Sequence, residues 1–295
     1  MFRRLRTPAR CVALLTFCVL APFVRAQAGI RPPPDYVQLG PPDQAKGREV
    51  LESFRQQGIA GDYYLEFELR VLPRRGPERV LVGRLWGSRN SAGPISRVSV
   101  RPPPSDPRSG EVRLLIQGGP KPELWRWADG SGAAATQFGV AGLFEPVAGT
   151  DLTPFDLQMP FLYWPEFTYE GLTRMHGRPA HRFLFHPPAD VTRRNPALRG
   201  IRAYLDTQYT ALVQVELIGD NDQSLKSVSV VDLKKIGDQW IVKSIDLRDE
   251  ATRNKTRFAV TAAALRQTFP ATVLDPLHLS EEAPVPTQLV TLGPP

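Results

Sequence analysis

Cysteine is almost absent from this sequence: Cys11 and Cys18 are the two it has, and both lie in the N-terminal segment. The rest of the chain has no thiol for a disulfide, a thiolate metal site or a cysteine nucleophile, so core burial alone must hold it. Histidine is also sparse, limited to His176, His181, His186 and His278. His181 and His186 are five apart on an expected strand, point to opposite faces, and cannot share a metal. There is no Gly-x-Ser-x-Gly elbow, no phosphate-cradling glycine loop and no dinucleotide fingerprint. Asp220-Asn221-Asp222 lacks the later glycine and glutamate of a calcium loop, and reads as turn chemistry. Asp151 and Asp156 could be taken for a catalytic carboxylate pair, but Asp156 stands three residues after Thr153, where an acid completes a capping box. These absences predict a protein that is not an enzyme and that carries no cofactor and no metal.

Acidic residues are missing from the N-terminal segment. Arg3, Arg4, Arg6 and Arg10 precede an apolar run from Cys11 to Val24 that closes on Val24-Arg25-Ala26. This is the pattern of a secretory signal peptide over 1–26, with cleavage after Ala26 and export to the periplasm. The run is short of the roughly 20 apolar residues of a membrane span, and no later segment reaches that length. Thr16-Phe17 are the wrong shape before a lipid-anchored Cys18. Loss of the five arginines of this segment lowers the formal charge from +7 to +2. The pI near 9.6 is therefore largely a property of the signal, and it gives no support to nucleic-acid binding.

Proline, in contrast, is plentiful, and its placement marks the boundaries. Residues 27–42 form a Pro-rich leader, and 276–295 a flexible Pro-rich tail. Between them Asp43 is expected to cap a helix that runs to about Gln57, with an apolar stripe of Val50, Leu51 and Phe54. The period then switches to two. Leu65, Phe67, Leu69 and Val71 alternate with Glu66, Glu68 and Arg70, the pattern of a half-buried antiparallel strand. Further strands are expected at 78–87, 94–101, 111–117, 123–128, 135–140, 166–174, 179–186, 200–206, 210–218, 224–235, 239–248 and 254–264. Their spacing suggests an up-and-down meander with successive strands adjacent. The stretch 141–165 interrupts it. Thr153-Pro154 starts a short helix, and Phe155, Leu157, Met159, Phe161, Leu162, Tyr163 and Trp164 make the segment apolar on all sides. So many large side chains belong across a core or a cavity mouth.

Aromatic content is the other excess. Trp86, Trp125, Trp127, Trp164 and Trp240, with fourteen Phe, are many for a meander backed by one helix. A curved sheet of about eleven strands would leave a concave apolar face for a ligand.

Several segments resemble those of outer-membrane lipoprotein-sorting proteins. Gly149-Thr150-Asp151-Leu152-Thr153-Pro154-Phe155-Asp156-Leu157 is similar to that family's Gly-Ser-Asp-Phe-Ser-x-x-Asp-Leu. Ser224-Leu225-Lys226 precedes a strand, Gly237-Asp238-Gln239-Trp240-Ile241-Val242 resembles Gly-x-Trp-Ile-Pro, and Asn254-Lys255-Thr256 resembles a late Lys-Thr. Thr150 replaces a frequent serine and Val242 a frequent proline. The likeness spans most of 43–275 and implies a LolA-like fold: a mainly β, unclosed antiparallel half-barrel with an N-terminal helix and a helical lid. It also implies lipoprotein acyl chains or another lipid as ligand, passed between an inner-membrane transporter and an outer-membrane acceptor by a monomer. On this reading Leu65, Phe67, Leu69, Val71, Trp86, Trp125 and Trp127 line the cavity wall. Val50, Leu51, Phe54, Phe155, Met159, Phe161 and Trp164 form the lid. A structural envelope protein, or an accessory lipid-binding subunit of a membrane lipid exporter, are the alternatives.

Overall fold

Asp43 opens helix α1 (Gln44–Gln56) by accepting from the backbone N–H of Ala45 at 2.8 Å and Lys46 at 3.2 Å. Its side chain thereby satisfies two of the donors that a helix N-terminus leaves unpaired. The computed structural model describes residues 38, 40–103, 105, 110–129 and 134–293. The expected signal peptide, and the leader apart from residues 38 and 40–42, lie outside the described residues. No helix among the described residues is long and apolar enough to cross a membrane.

After α1 come six strands: β1 (Asp62–Leu72), β2 (Arg79–Asn90), β3 (Gly93–Arg101), β4 (Val112–Gln117), β5 (Glu123–Ala128) and β6 (Thr136–Phe138). A crossover follows, built of short 3-10 turns around helix α2 (Pro154–Gln158). The second run is β7 (Phe167–Met175), β8 (Arg178–Phe185), helix α3 (Ala189–Arg194), β9 (Gly200–Asp206), β10 (Leu212–Ile218), β11 (Ser224–Ile236), β12 (Gln239–Asp249) and β13 (Lys255–Gln267). A two-residue β14 (Val290–Thr291) pairs with β13. The fold is mainly β, an unclosed antiparallel half-barrel, with thirteen strands in its main path instead of about eleven.

The order across the sheet is β6-β5-β4-β3-β2-β1-β13-β12-β11-β10-β9-β8-β7. It is therefore not one continuous meander. Two meanders meet where β1 pairs with β13, and β6 and β7 become opposite edges. The β6–β7 connection must then travel from one edge of the sheet to the other. It does so across the inner face, and the topology thereby makes residues 139–165 a cover.

The outer face also departs from expectation. Residues 276–293 do not hang free. Leu279, Ala283 and Leu292 are buried, and Trp86 Nε1 donates to Pro284 O at 2.7 Å. The Arg97 guanidinium reaches the carbonyls of Val273, His278, Leu279 and Glu281. Burial, and then the neighbouring Arg113 charge, lower the Arg97 guanidinium to about 10.

Candidate functional site

The inner face is set by alternation along the strands. Leu65, Phe67, Leu69 and Val71 are buried there, while Glu66, Glu68 and Arg70 turn outward. Phe67 stacks on Phe258 of β13 with ring centroids 4.4 Å apart. Its other neighbour is Gly83, its register partner on β2. A Cβ on Gly83 would lie 2.1 Å from the Phe67 ring, so the glycine leaves the space that the ring fills.

Two elements cover this face. Helix α1 buries Val50 and Leu51, and Phe54 packs against the same core. It lies directly on β7: a Cβ on Gly47 would be 2.4 Å from Cβ of Tyr169. The Gln44 side chain pairs with the Tyr169 backbone, accepting from N at 2.9 Å and donating to O at 2.8 Å. The Tyr169 hydroxyl meets His181 Nδ1 at 2.8 Å. Burial pushes the Tyr169 phenol up, and burial followed by the Lys46 charge pushes His181 down.

The second cover is the crossover. Phe155, Phe161 and Trp164 are buried, and Met159 is partly buried against the same core. Phe155 stacks on Phe144 at 4.9 Å, and Phe161 meets Phe185 edge-on at 5.5 Å. Phe183 and Tyr169 continue the aromatic row. The expected lid residues are thus brought together on the inner face.

The wall residues divide. Leu65, Phe67, Leu69 and Val71 are on the inner face, but the three wall tryptophans are on the outer one. Trp86 meets Tyr64 at 5.2 Å in a separate outer cluster beneath the C-terminal strap. On β5, Leu124 and Arg126 line the inner side, so Trp125 and Trp127 point outward, opposite Leu115 and Arg113. The Arg113 guanidinium sits 4.6 Å from the Trp127 ring centre. The strap and the arginines give outer-face aromatics a cover that the assignment to the wall left out.

Polar anchors hold the crossover, and the segments that carried the family likeness converge on them. Asp156 Oδ2 accepts from Thr153 N at 2.8 Å and Thr153 Oγ1 at 2.7 Å, completing the capping box. The same oxygen accepts from the Lys226 ammonium, which also donates to Asp151 O at 2.6 Å. Asp151 Oδ2 accepts from Thr256 Oγ1 at 2.7 Å. Thr150 Oγ1 donates to Val147 O at 2.8 Å, a bond that serine in its place would keep. Further along, Arg55 Nε donates to Leu162 O at 2.7 Å. Gln158 Nε2 donates to Gln117 O and Glu123 O, leaving its buried Oε1 without a partner.

The free space is small. A void of about 10 Å³, room for roughly one water, lies between β4, β5 and the crossover, lined by Val112, Leu114, Leu124, Phe138, Val147 and Pro154. Drug-sized sites begin near 300 Å³. Phe155 and Phe161 of the crossover, with Phe183 and Phe185 of β8, pack together on the inner face.

No protein-family model and no curated protein matches the sequence. Solved structures do match. An outer-membrane lipoprotein-sorting protein domain from Vibrio parahaemolyticus aligns with a TM-score of 0.69 at 14% identity, over 81% of this chain and 100% of that one. A DUF1329 family protein from Desulfovibrio piger gives 0.65 at 11% identity, over 78% and 96%. A LolA superfamily protein from Nitrosomonas europaea gives 0.56 at 12% identity, over 77% and 96%. At these identities the likeness is one of fold. The chain therefore has the LolA-like fold, with the β6–β7 crossover as the cover of its half-barrel.

Proposed function

We propose that the protein is a periplasmic, non-catalytic binder of lipid or lipoprotein acyl chains, in which ligand and crossover exchange places on the inner face. The observation that carries this reading is the nature of the cover. A helix and one edge-to-edge crossover close the apolar face, and the crossover is tied down by polar contacts at defined points. Between those points it contributes side chains that an acyl chain could replace.

The magnitudes are compatible with loading and release. Full burial of a sixteen-carbon chain gains on the order of 11 kcal/mol. Uncovering Phe155, Phe161 and Trp164 costs about 2–3 kcal/mol each, roughly 6–9 kcal/mol together. The net gain per chain is then a few kcal/mol, which suits a carrier that must let go. Leu51→Glu and Phe161→Glu are expected to change the binding of a fluorescent acyl probe. Unchanged binding in both would sink the lid assignment.

A second reading has its own support. The void of about 10 Å³ also fits a structural envelope protein with a dry, filled core. Native mass spectrometry of gently prepared protein separates the two readings: co-purifying lipid marks the binder, a clean protein mass the structural protein.

A further inference from the structure

The β11–β12 hairpin outgrows the sheet. β11 pairs with β10 only as far as Ser229, and β12 pairs with β13 only from Ser244 onward. Residues 230–243 are therefore bonded across the hairpin and to no third strand. One side of this arm is seated on the protein, with Ile241 buried and Ile236 and Ile245 packed on the core. The other side is bare: Trp240 is 63% exposed, Val231 49% and Leu233 44%. Register places Lys235 opposite Trp240, and Leu233 opposite Val242, on that same side. A tryptophan left this open on a rigidly seated arm needs an account.

The charges around it indicate what it meets. Asp232 is paired with Lys243 at 3.6 Å and Asp238 with Arg266 at 2.6 Å. Lys235 forms no ion pair among the described residues and stands beside the indole, whereas Lys234, opposite Ile241, belongs to the seated side. Gln57 and Ala60 connect the arm to a second site of the same character. Ala60 N donates to Gln239 Oε1 at 2.7 Å, and Gln57 Nε2 donates to Tyr209 O at 3.3 Å. Tyr209 is 61% exposed, with the Arg178 guanidinium 5.6 Å from its ring centre.

We infer that this end of the sheet docks on an anionic lipid bilayer surface, with Trp240 and Leu233 entering the headgroup region and Lys235 meeting the phosphates. Trp and Tyr favour that region because one end of the ring system is apolar and the other polar. Lysine is depleted in protein–protein interfaces, which favours lipid over a protein partner. The bare side of the hairpin also fits a plane without needing a matching groove.

The test is co-sedimentation of the purified protein with vesicles of phosphatidylethanolamine and phosphatidylglycerol, against phosphatidylcholine alone. Binding is expected to the anionic vesicles and to fall with salt. A lysine near such a surface strengthens binding about fivefold, so Lys235→Gln is expected to weaken it about fivefold, and Lys234→Gln, on the seated side, less. Trp240→Ser is expected to weaken it about tenfold or more. Lys235 is exposed, so its variant is readable even if Trp240→Ser fails to fold. Wild-type protein that stays in the supernatant, or a Lys235→Gln variant that pellets like wild type, overturns the inference. Capture of an acyl probe by the inner face is a separate measurement, so failure here leaves the binder reading standing.

Discussion

Replacing Lys226 with methionine tests whether the crossover is a latched lid or a fixed part of the core. The Lys226 and Asp156 side chains are only 9% and 3% exposed. Methionine keeps most of the stem's volume and removes the ammonium, leaving Asp156 with its two bonds from Thr153. Breaking one side of a buried pair costs about 3–5 kcal/mol, and the surviving bonds place this case near the lower end, about 3 kcal/mol. For a latched lid, that loss falls on local opening. Hydrogen exchange at the Thr150 and Met159 amides, which donate inside the crossover, should then accelerate by roughly a hundredfold. Amides of β7 and β8 should change little. Lys226→Met/Asp156→Asn removes the stranded charge and should recover most of the protection. Equal acceleration throughout the sheet, or none in the crossover, would refute a separable lid.

Two other perturbations probe the two faces. Gly83→Val forces the Phe67 ring aside and should cost about 1–3 kcal/mol, seen as a lower urea midpoint at unchanged slope. A midpoint equal to wild type would mean that the inner face is loosely packed. On the outer face, burial pushes the Glu111 carboxyl up, but hydrogen bonds from Arg113, Arg101 and Ser99 outweigh it and hold it at about 2, against 4.5 when free. Its folded pKa is depressed, so its contribution is complete above pH 4.5 and drains away as pH falls towards 2. Glu111→Gln should flatten the fall of the urea midpoint over that window. An unchanged pH profile would count against the Glu111 network.

The strands were legible because period-two alternation is a local property, and β1 displays it in Leu65, Phe67, Leu69 and Val71. The junction of β1 with β13 was not, since nothing in either segment names its partner. The outward position of Trp86 could have been taken from parity, as it alternates with Leu85 and Leu81 on β2. Trp125 and Trp127 alternate with Leu124 and Arg126 in the same way. The cover over these tryptophans is not local: the Pro-rich residues 276–293 carry no periodicity that marks them as packed on the outer face. Phe183 and Phe185 were readable as a buried pair on one face of their strand. Lys226 and Thr256 lay inside recognised segments, but their meeting with Asp151 and Asp156 depends on contacts 70 to 105 residues apart.

The seam between β1 and β13 also sets the order in which the protein can fold. Its paired residues are separated by 183 positions at Leu72–Lys255 and by 205 at Asp62–Gln267. Synthesis runs from the N terminus, so β1 to β6 can form as a local meander while β1 remains a bare edge. That edge, with Phe67 and Leu69 beside it, waits for nearly the whole remaining chain. Closing so long a loop is slow, and an open apolar edge invites pairing with other chains. The completed sheet hides this early edge near its centre, and only the last strand of the second meander puts it there.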